Sequence, residues 1–569
     1  MKVTRLLSTL LALLLVCGMA IPALAEGEPV ELTLGSAYMM PEDPSWLTYS
    51  TFEKLQKDLN IKIKYTYYDA DKFSLMLASG DLPDIVIGRQ AHLQEVLNNH
   101  MALNLDPYLD EFAPNLKLEQ YTARNELLRE TFGGENKELY FLPSNLGYEL
   151  IDGGQDSPRG YNIRWDYYKE IGCPEINNDD DYLAALKQIA ENHPTTENGD
   201  RIYATGLYAS LNEWYIRASW TRACSLNQYT LSGYQFMGSW EDNELYDGYT
   251  QTDRSCYWND MRFYNKLYNA DLLDPDSFTM TIDEQTEKTK KGQYLFRATM
   301  VKAELYNESL KRDPQTLAGY VVIPSNANVY FSSMAHPMGN VPSYYTFISA
   351  NSQNKETALA FFNYISDPDN IRMLYSGVQG EAWDYDENGS PRIFDNMLEG
   401  KKTNSDEYVK AGLSKSLNLQ SPLIPMSASE IHPDGHAFYL FYDKDYFTLG
   451  LTHLQEDYSA YYGVDYPAQA PMKFVNEGDA IGLGDCYSHV YAAAVPAIPN
   501  DILRIMNQCN EILYRAIPEL VMARDDAEFA AIQERTLKDL ENAGEKEAWE
   551  WYSKEYNIAK EKMSAILGK

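Results

Sequence analysis

Val30-Glu31-Leu32-Thr33-Leu34, Ile61-Lys62-Ile63-Lys64-Tyr65-Thr66-Tyr67 and Asp84-Ile85-Val86-Ile87 are the three stretches whose reading decides the fold. The first is a short β-prone run. The second alternates apolar and polar residues with the period of two that a half-buried strand requires. The third is a compact apolar run after a turn at Ser79-Gly80-Asp81. Between the first two, Pro44-Ser45 opens a helix whose Trp46, Tyr49, Phe52, Leu55 and Leu59 recur at helical spacing. Between the last two, 73–78 predicts another helix. The order is βαβαβ. Connections of this kind build a parallel sheet, because the crossover helix must pack back on the sheet.

Ligands of open parallel sheets bind beyond the carboxyl ends of the strands. Those ends feed the loops 35–43, 69–72 and 88–92. The first holds Ser36 and Tyr38 and leads to Trp46. The third holds Arg89 and Gln90.

Further along, 139–143 reads as a strand broken at Ser144-Asn145. A strand and helix follow at 161–170, then a helix capped by 177–181, a polar loop at 192–200 and a strand at 202–207. The middle is helix-rich and holds Trp214, Trp220, Trp240 and Trp258. Strands return at 320–323 and 345–349, with a helix over 355–366. From about 501 the chain reads as amphipathic helix.

The chain has 569 residues, more than one core accommodates, so two lobes are expected. Hydrophobic residues make up 44 % and charged residues 23 %, the composition of a folded chain. The net charge of -35 opposes contact with nucleic acid or anionic membrane. The 45 Tyr and 9 Trp offer amphipathic rings suited to stacking on sugars. At the amino end, Lys2 and Arg5 precede an apolar run at 6–16, and Ala23-Leu24-Ala25 fits a cleavage site, so 1–25 reads as a signal peptide. Leu14-Leu15-Val16-Cys17 leaves a second reading, lipid anchoring at Cys17. The remaining cysteines, Cys173, Cys224, Cys256, Cys486 and Cys509, form no CxxC pattern, and their odd number leaves at least one unpaired within the chain.

Five segments resemble the family 1 extracellular solute-binding proteins of ABC importers, the maltose-binding-like group and its longer lipoprotein-like branch. They are Leu77-Ala78-Ser79-Gly80-Asp81-Leu82-Pro83-Asp84-Ile85, Tyr140-Phe141-Leu142-Pro143, Asn162-Ile163-Arg164-Trp165-Asp166-Tyr167, the stretch 351–365, and Gly377-Val378-Gln379-Gly380-Glu381-Ala382-Trp383. The resemblance implies an α/β, two-lobed periplasmic-binding-protein-like fold with a discontinuous chain and a helical C-terminal tail. One lobe takes 29–143 plus 318–368; the second, helix-rich lobe takes 145–316 plus 370–569. It also implies a monomer that serves a membrane permease.

Asp384-Tyr385-Asp386-Glu387-Asn388-Gly389-Ser390 resembles the opening of a calcium loop, but its twelfth position is Asp395 rather than Glu, and Arg392 intrudes a positive charge. A hairpin turning at Asn388-Gly389 is the preferred reading. Loop 192–201 lacks the ligand series of a calcium loop, and no metal or other cofactor is expected. No GxSxG, HExxH or Walker pattern occurs, so an enzyme is not expected.

The expected function is capture of a carbohydrate, an oligosaccharide, outside the cell for an ABC importer, with no nucleic-acid partner. The expected ligand residues are Tyr38, Trp46, Arg89, Asn145, Arg164, Trp220, Trp240 and Trp383. Trp383 follows two glycines and is expected to stand exposed as a stacking platform. For Arg164, pairing with Asp166 or Glu170 is the competing reading. The rival functions are a peptide or phosphosugar binder, a secreted carbohydrate-active enzyme, and a surface sensor partner or adhesin.

Overall fold

The structure is a computed structural model and describes residues 27–37, 40–89, 92–144, 146, 160–208, 228–232, 235–239, 244–297, 304–325, 329–330, 344–403, 405–413, 423–428, 430–448, 451–478, 481–482, 488–496 and 498–567. Two compact units emerge, each built from discontinuous chain. The first is Met1–Leu146 with Gly339–Ser427; the second is Gly147–Met338 with Ala428–Lys569.

The first unit is centred on the expected sheet. Strands β1 (Val30–Ser36), β2 (Ile61–Tyr67) and β3 (Ile85–Arg89) run parallel, with β1 in the middle. The strand Tyr344–Ile348 closes the β3 edge in the antiparallel sense. The alternation in β2 is real, since Ile61 and Ile63 are buried while Lys62 and Lys64 are exposed. Helices α1 (Ser50–Asp58) and α2 (Ala70–Ser79) make the crossovers.

Trp46, Tyr49, Phe52, Leu55 and Leu59 are all buried, as their spacing requires. They do not share one helix. Asp43 caps a 3-10 turn over Pro44–Thr48, and Tyr49 is extended before α1 starts. At the other crossover, Asp69 accepts the Lys72 N–H at 2.8 Å, and Gly80 ends α2 in the left-handed conformation that favours glycine.

Asp84 explains why the motif through Pro83 needs a carboxylate. It accepts the Thr33 N–H at 2.9 Å, the Thr33 hydroxyl at 2.7 Å, the Ser352 hydroxyl at 2.6 Å and an Asn354 N–H at 3.3 Å. One buried side chain thus ties β1 to the entry of the helix Lys355–Ile365. Burial alone would raise its pKa, but these donors outweigh burial and hold it below the usual range. Its stabilisation is therefore present above the unfolded-state pKa and is lost as pH falls through the lower folded-state value. Asp84→Asn, which sets an amide among donors, should cost about 2–3 kcal/mol at pH 7. Urea unfolding at pH 7 and at pH 2.5, below the ordinary carboxylate value, checks this: the difference between the proteins should narrow at the lower pH.

Two boundaries differ from expectation. The strand Tyr320–Val322 pairs antiparallel with Asn162–Arg164 in the second unit, so the chain returns to the first unit after that strand rather than at 318. The return segment also extends past 368. The helix Pro368–Ser376 and the hairpin Trp383–Tyr385 with Pro391–Ile393 stay in the first unit. A strand-then-helix pattern shows that a strand exists but not which sheet it joins. Likewise 139–143 makes only a bridge from Leu142 to Thr346, since Pro143 has no N–H with which to extend a ladder. The expected strand at 202–207 consists of two isolated bridges, Tyr203 with Tyr294 and Thr205 with Leu273.

The second unit also holds a three-stranded antiparallel sheet, Gln228–Ser232, Phe236–Ser239 and Leu245–Asp247. The tail is helical as expected, over Asn500–Val521, Asp526–Ala543 and Glu545–Leu567. Asn265, on the helix Cys256–Asn269, donates to the carbonyls of Leu520, Val521 and Ala523, the end of the first tail helix. Cys173 and Cys509 are free thiols and Cys256 is buried; Cys224 and Cys486 lie outside the described residues.

Candidate functional site

The carboxyl ends of β1, β2 and β3 form one rim of the first unit, because the strands are in register there. Ser36 pairs with Tyr67 on one side and Ile87 on the other. The chain leaving β1 and β2 stays bound to this edge: the Ala37 N–H donates to the Ile87 carbonyl at 3.1 Å, and the Tyr68 N–H to the Ser36 carbonyl at 2.9 Å. Tyr68, Asp69, Lys72, Arg89 and His92 follow directly. Arg89 is exposed, and Tyr67 and Tyr68 are half-buried.

The rim has an aromatic footing. The Tyr68 ring meets buried Phe73 edge-on at 6.4 Å, and the His92 ring lies 5.4 Å from the same Phe73. Burial, with a smaller contribution from Asp81, raises the Tyr68 pKa, which keeps its hydroxyl a neutral donor and acceptor. Hydrogen bonding to Lys72 lowers the Asp69 pKa, so this carboxylate is ionised at neutral pH. Hydroxyl, carboxylate, ammonium and guanidinium groups thus share one edge. That mixture can hydrogen-bond a neutral ligand rich in hydroxyls.

The expected ligand residues have different fates. Arg89 is on the rim. Tyr38, Asn145, Trp220 and Trp240 lie outside the described residues. Trp46 is not a platform: it is 1 % exposed and packs edge-on against Phe52 at 4.7 Å and Tyr65 at 5.3 Å.

Trp383 is also buried, contrary to the exposed ring expected. It is 4 % exposed, its Nε1 donates to the Gly377 carbonyl at 2.8 Å, and the Arg372 guanidinium lies 5.8 Å from its ring centre. Of the two glycines before it, Gly377 serves packing. Gly377 adopts φ +88°, and a Cβ there would sit 2.5 Å from the Ala382 Cβ. The hairpin reading of the calcium-like loop is observed, with Asp386 accepting N–H groups from Asn388 and Ser390 and pairing with Arg392 at 3.2 Å.

Arg164 follows its competing reading. It is buried in the second unit, forks onto Asp166 and lies 3.9 Å over the Tyr167 ring. Burial alone would lower its pKa, but the Asp166 charge outweighs burial and raises it.

The tyrosine abundance is largely structural. Tyr121, Tyr182, Tyr257, Tyr375 and Tyr458 bury their rings and donate hydroxyls to the carbonyls of Ser366, Asn162, Leu513, Met426 and Val322. Such a residue supplies apolar area and closes one backbone acceptor at once. Tyr67, Tyr68 and His92 were not among the expected ligand residues. Their signal was position: each stands where a parallel strand has just ended.

No protein-family model matches the chain. A relative in Bacillus subtilis (strain 168), Lipoprotein LipO, is 21 % identical over 379 residues, which span 63 % of this chain and 69 % of that protein. The alginate-binding protein AlgQ2, in a crystal structure without calcium ion, superimposes with a TM-score of 0.59 at 16 % identity, over 93 % of this chain and 98 % of that one. The FusA substrate-binding protein of a Streptococcus pneumoniae ABC transporter, an EF-hand mutant in complex with fructo-nystose, gives 0.57 at 15 % identity, over 94 % and 100 %. A solute-binding protein of Bifidobacterium longum infantis, associated with an ABC transporter and described as HMO-binding, gives 0.57 at 16 % identity, over 94 % and 99 %. The fold is that of the extracellular solute-binding proteins, and the resemblance read from the sequence is borne out in it.

Proposed function

We propose, from a fold shared along nearly its whole length with solute-binding proteins, that this chain captures a carbohydrate outside the cytoplasm and delivers it to the permease of an ABC importer. The observation that carries the reading is the coverage: structures of proteins described as binding alginate, fructo-nystose and HMO match 93–94 % of the chain. An oligosaccharide is the ligand class these similarities favour. The chain acts as a binding protein rather than an enzyme. No helix among the described residues is long and apolar enough to cross a membrane. Export with removal of 1–25 fits this role, as does lipid anchoring at Cys17.

In this reading the rim holds part of the ligand. Arg89 and the hydroxyls of Tyr67 and Tyr68 hydrogen-bond to it, and the ring faces of the two tyrosines cover its C–H patches. Tyr38, Asn145, Trp220 and Trp240 complete the proposed ligand set.

A thermal-shift panel of mono- and oligosaccharides tests this. A ligand at about 100 times its Kd adds about 2.7 kcal/mol, which raises Tm by several degrees. Arg89→Ala should lose that ligand-dependent rise while keeping the Tm of the empty protein. A rise with peptides or phosphosugars alone would overturn the carbohydrate reading. Release of shorter sugars during incubation would show an enzyme.

A further inference from the structure

In the second unit, three buried polar residues join the tail to the antiparallel sheet. Gln235 accepts the Gly248 N–H at its backbone carbonyl at 2.7 Å, just past the strand Leu245–Asp247. Its side-chain Nε2 donates to the Glu545 carbonyl at 2.7 Å and to Glu545 Oε2 at 3.2 Å. Glu545 is the first residue of the helix Glu545–Leu567. Beside this link, Phe236 stacks on Tyr552 of the same helix at 3.9 Å. Gln235 is 1 % exposed, Asp247 5 % and Glu545 8 %.

The charges facing Glu545 are mostly of its own sign. Asp247 faces it from the strand and Glu541 from the preceding helix. From the helix Asn500–Val521 comes the Cys509 thiol, which burial, then Glu545 and Asp247, push up to about 12, so it remains neutral. Lys546, the one cation among these neighbours, reaches towards Glu550 instead, at 3.8 Å. Asp247 has donors of its own, since its carboxylate accepts the Tyr249 N–H at 2.9 Å and the Thr250 hydroxyl at 2.8 Å, although burial outweighs them and raises its pKa. Among the described residues, the Glu545 carboxylate has only the longer contact to Gln235. Among the described residues the Oε1 of Gln235 is buried without a partner, and so offers an acceptor for a carboxyl O–H.

We propose that Glu545, Asp247 and Gln235 form a proton-operated clasp that holds the start of the C-terminal helix against the sheet and is closed when Glu545 is protonated. A buried pair of like charges cannot both ionise cheaply, and Glu545 is the member with fewer donors to its charged form. Burial, then Asp247 and Glu541, push its pKa up to about 7. A carboxyl raised above its unfolded value contributes stability that is full at acid pH and is lost as pH rises through the folded value. The clasp is therefore tight near pH 5.5 and loose near pH 8.

Hydrogen–deuterium exchange of the full-length chain, corrected for the intrinsic pH dependence of exchange, reads this directly. Amides at 546–552 should be protected on the order of tenfold more at pH 5.5 than at pH 8. Glu545→Gln should give equal protection at both values. Asp247→Asn should keep the pH dependence but move its midpoint lower, because a like charge has been removed. Equal protection of the unaltered protein at both pH values would overturn the proposal, and so would a pH dependence that survives in Glu545→Gln. If Glu545→Gln does not fold, the Asp247→Asn midpoint decides alone, and an unmoved midpoint overturns the clasp.

Discussion

Trp383→Ala lowers the stability of the ligand-free protein by about 3–5 kcal/mol, the usual cost of truncating a large buried aromatic side chain. The ring contributes three things at once. It fills space beneath the hairpin Trp383–Tyr385 with Pro391–Ile393, where Ala382 and Ile393 are buried with it. It satisfies the Gly377 carbonyl through Nε1. It meets Tyr385 edge-on at 5.3 Å and offers its face to the Arg372 guanidinium. Alanine leaves a cavity, an unpaired carbonyl and a guanidinium without its aromatic neighbour. Gly377 and Ala382 are already in close approach, which limits collapse of the cavity. Urea unfolding measures the loss, and calorimetry on the fraction still folded should find ligand affinity nearly unchanged. Unchanged stability with a specific loss of affinity would instead restore Trp383 as a ligand platform.

Asp166→Ala should cost a similar amount, about 3–5 kcal/mol, because it leaves the Arg164 guanidinium buried without its counter-charge. The side chain of Arg164 is 6 % exposed, so water cannot replace the lost carboxylate. The remaining partners are weak, namely the Gly292 carbonyl at 3.4 Å and the face of Tyr167. Removing both charges is the discriminating experiment. Arg164→Met combined with Asp166→Ala should recover most of the stability, since a neutral side chain of similar length no longer requires solvation. Chemical denaturation of the two single variants and the double variant checks this. If Asp166→Ala costs less than about 1 kcal/mol, the pair is behaving as an exposed one.

The two tryptophans show where sequence reading stops. Trp46 lies on a correctly read apolar face with Phe52 and Leu55, and that same spacing predicts the burial observed. It was nevertheless expected among the ligand residues because its loop leaves the carboxyl end of β1. Trp383 follows Gly377 and Gly380, and glycine was read as flexibility. In the fold, Gly377 adopts a left-handed backbone so that Ala382 can approach it. A glycine reports a backbone requirement, and either a mobile loop or a tight contact satisfies it.

The amino-acid sequence by itself determined the parallel core of the first unit, the crossover helices and the helical tail. These follow from local periodicity: alternation over 61–67 admits only a half-buried strand, and the apolar spacing over 46–59 marks a buried face, though not its division at Tyr49 into a 3-10 turn and α1. It also determined the hairpin at Asn388-Gly389, since Arg392 and Asp395 spoil a calcium loop through chemistry alone. Tertiary structure decided which sheet each later strand joined. Tyr320–Val322 pairs with Asn162–Arg164, and Tyr344–Ile348 with β3, although both strands look alike in sequence. It decided too that Arg164 and Trp383 are buried. The reason is physical. Strand and helix propensities act over a few residues, whereas sheet partners, burial and shared edges are set by contacts between segments hundreds of residues apart, whose energies no local window contains.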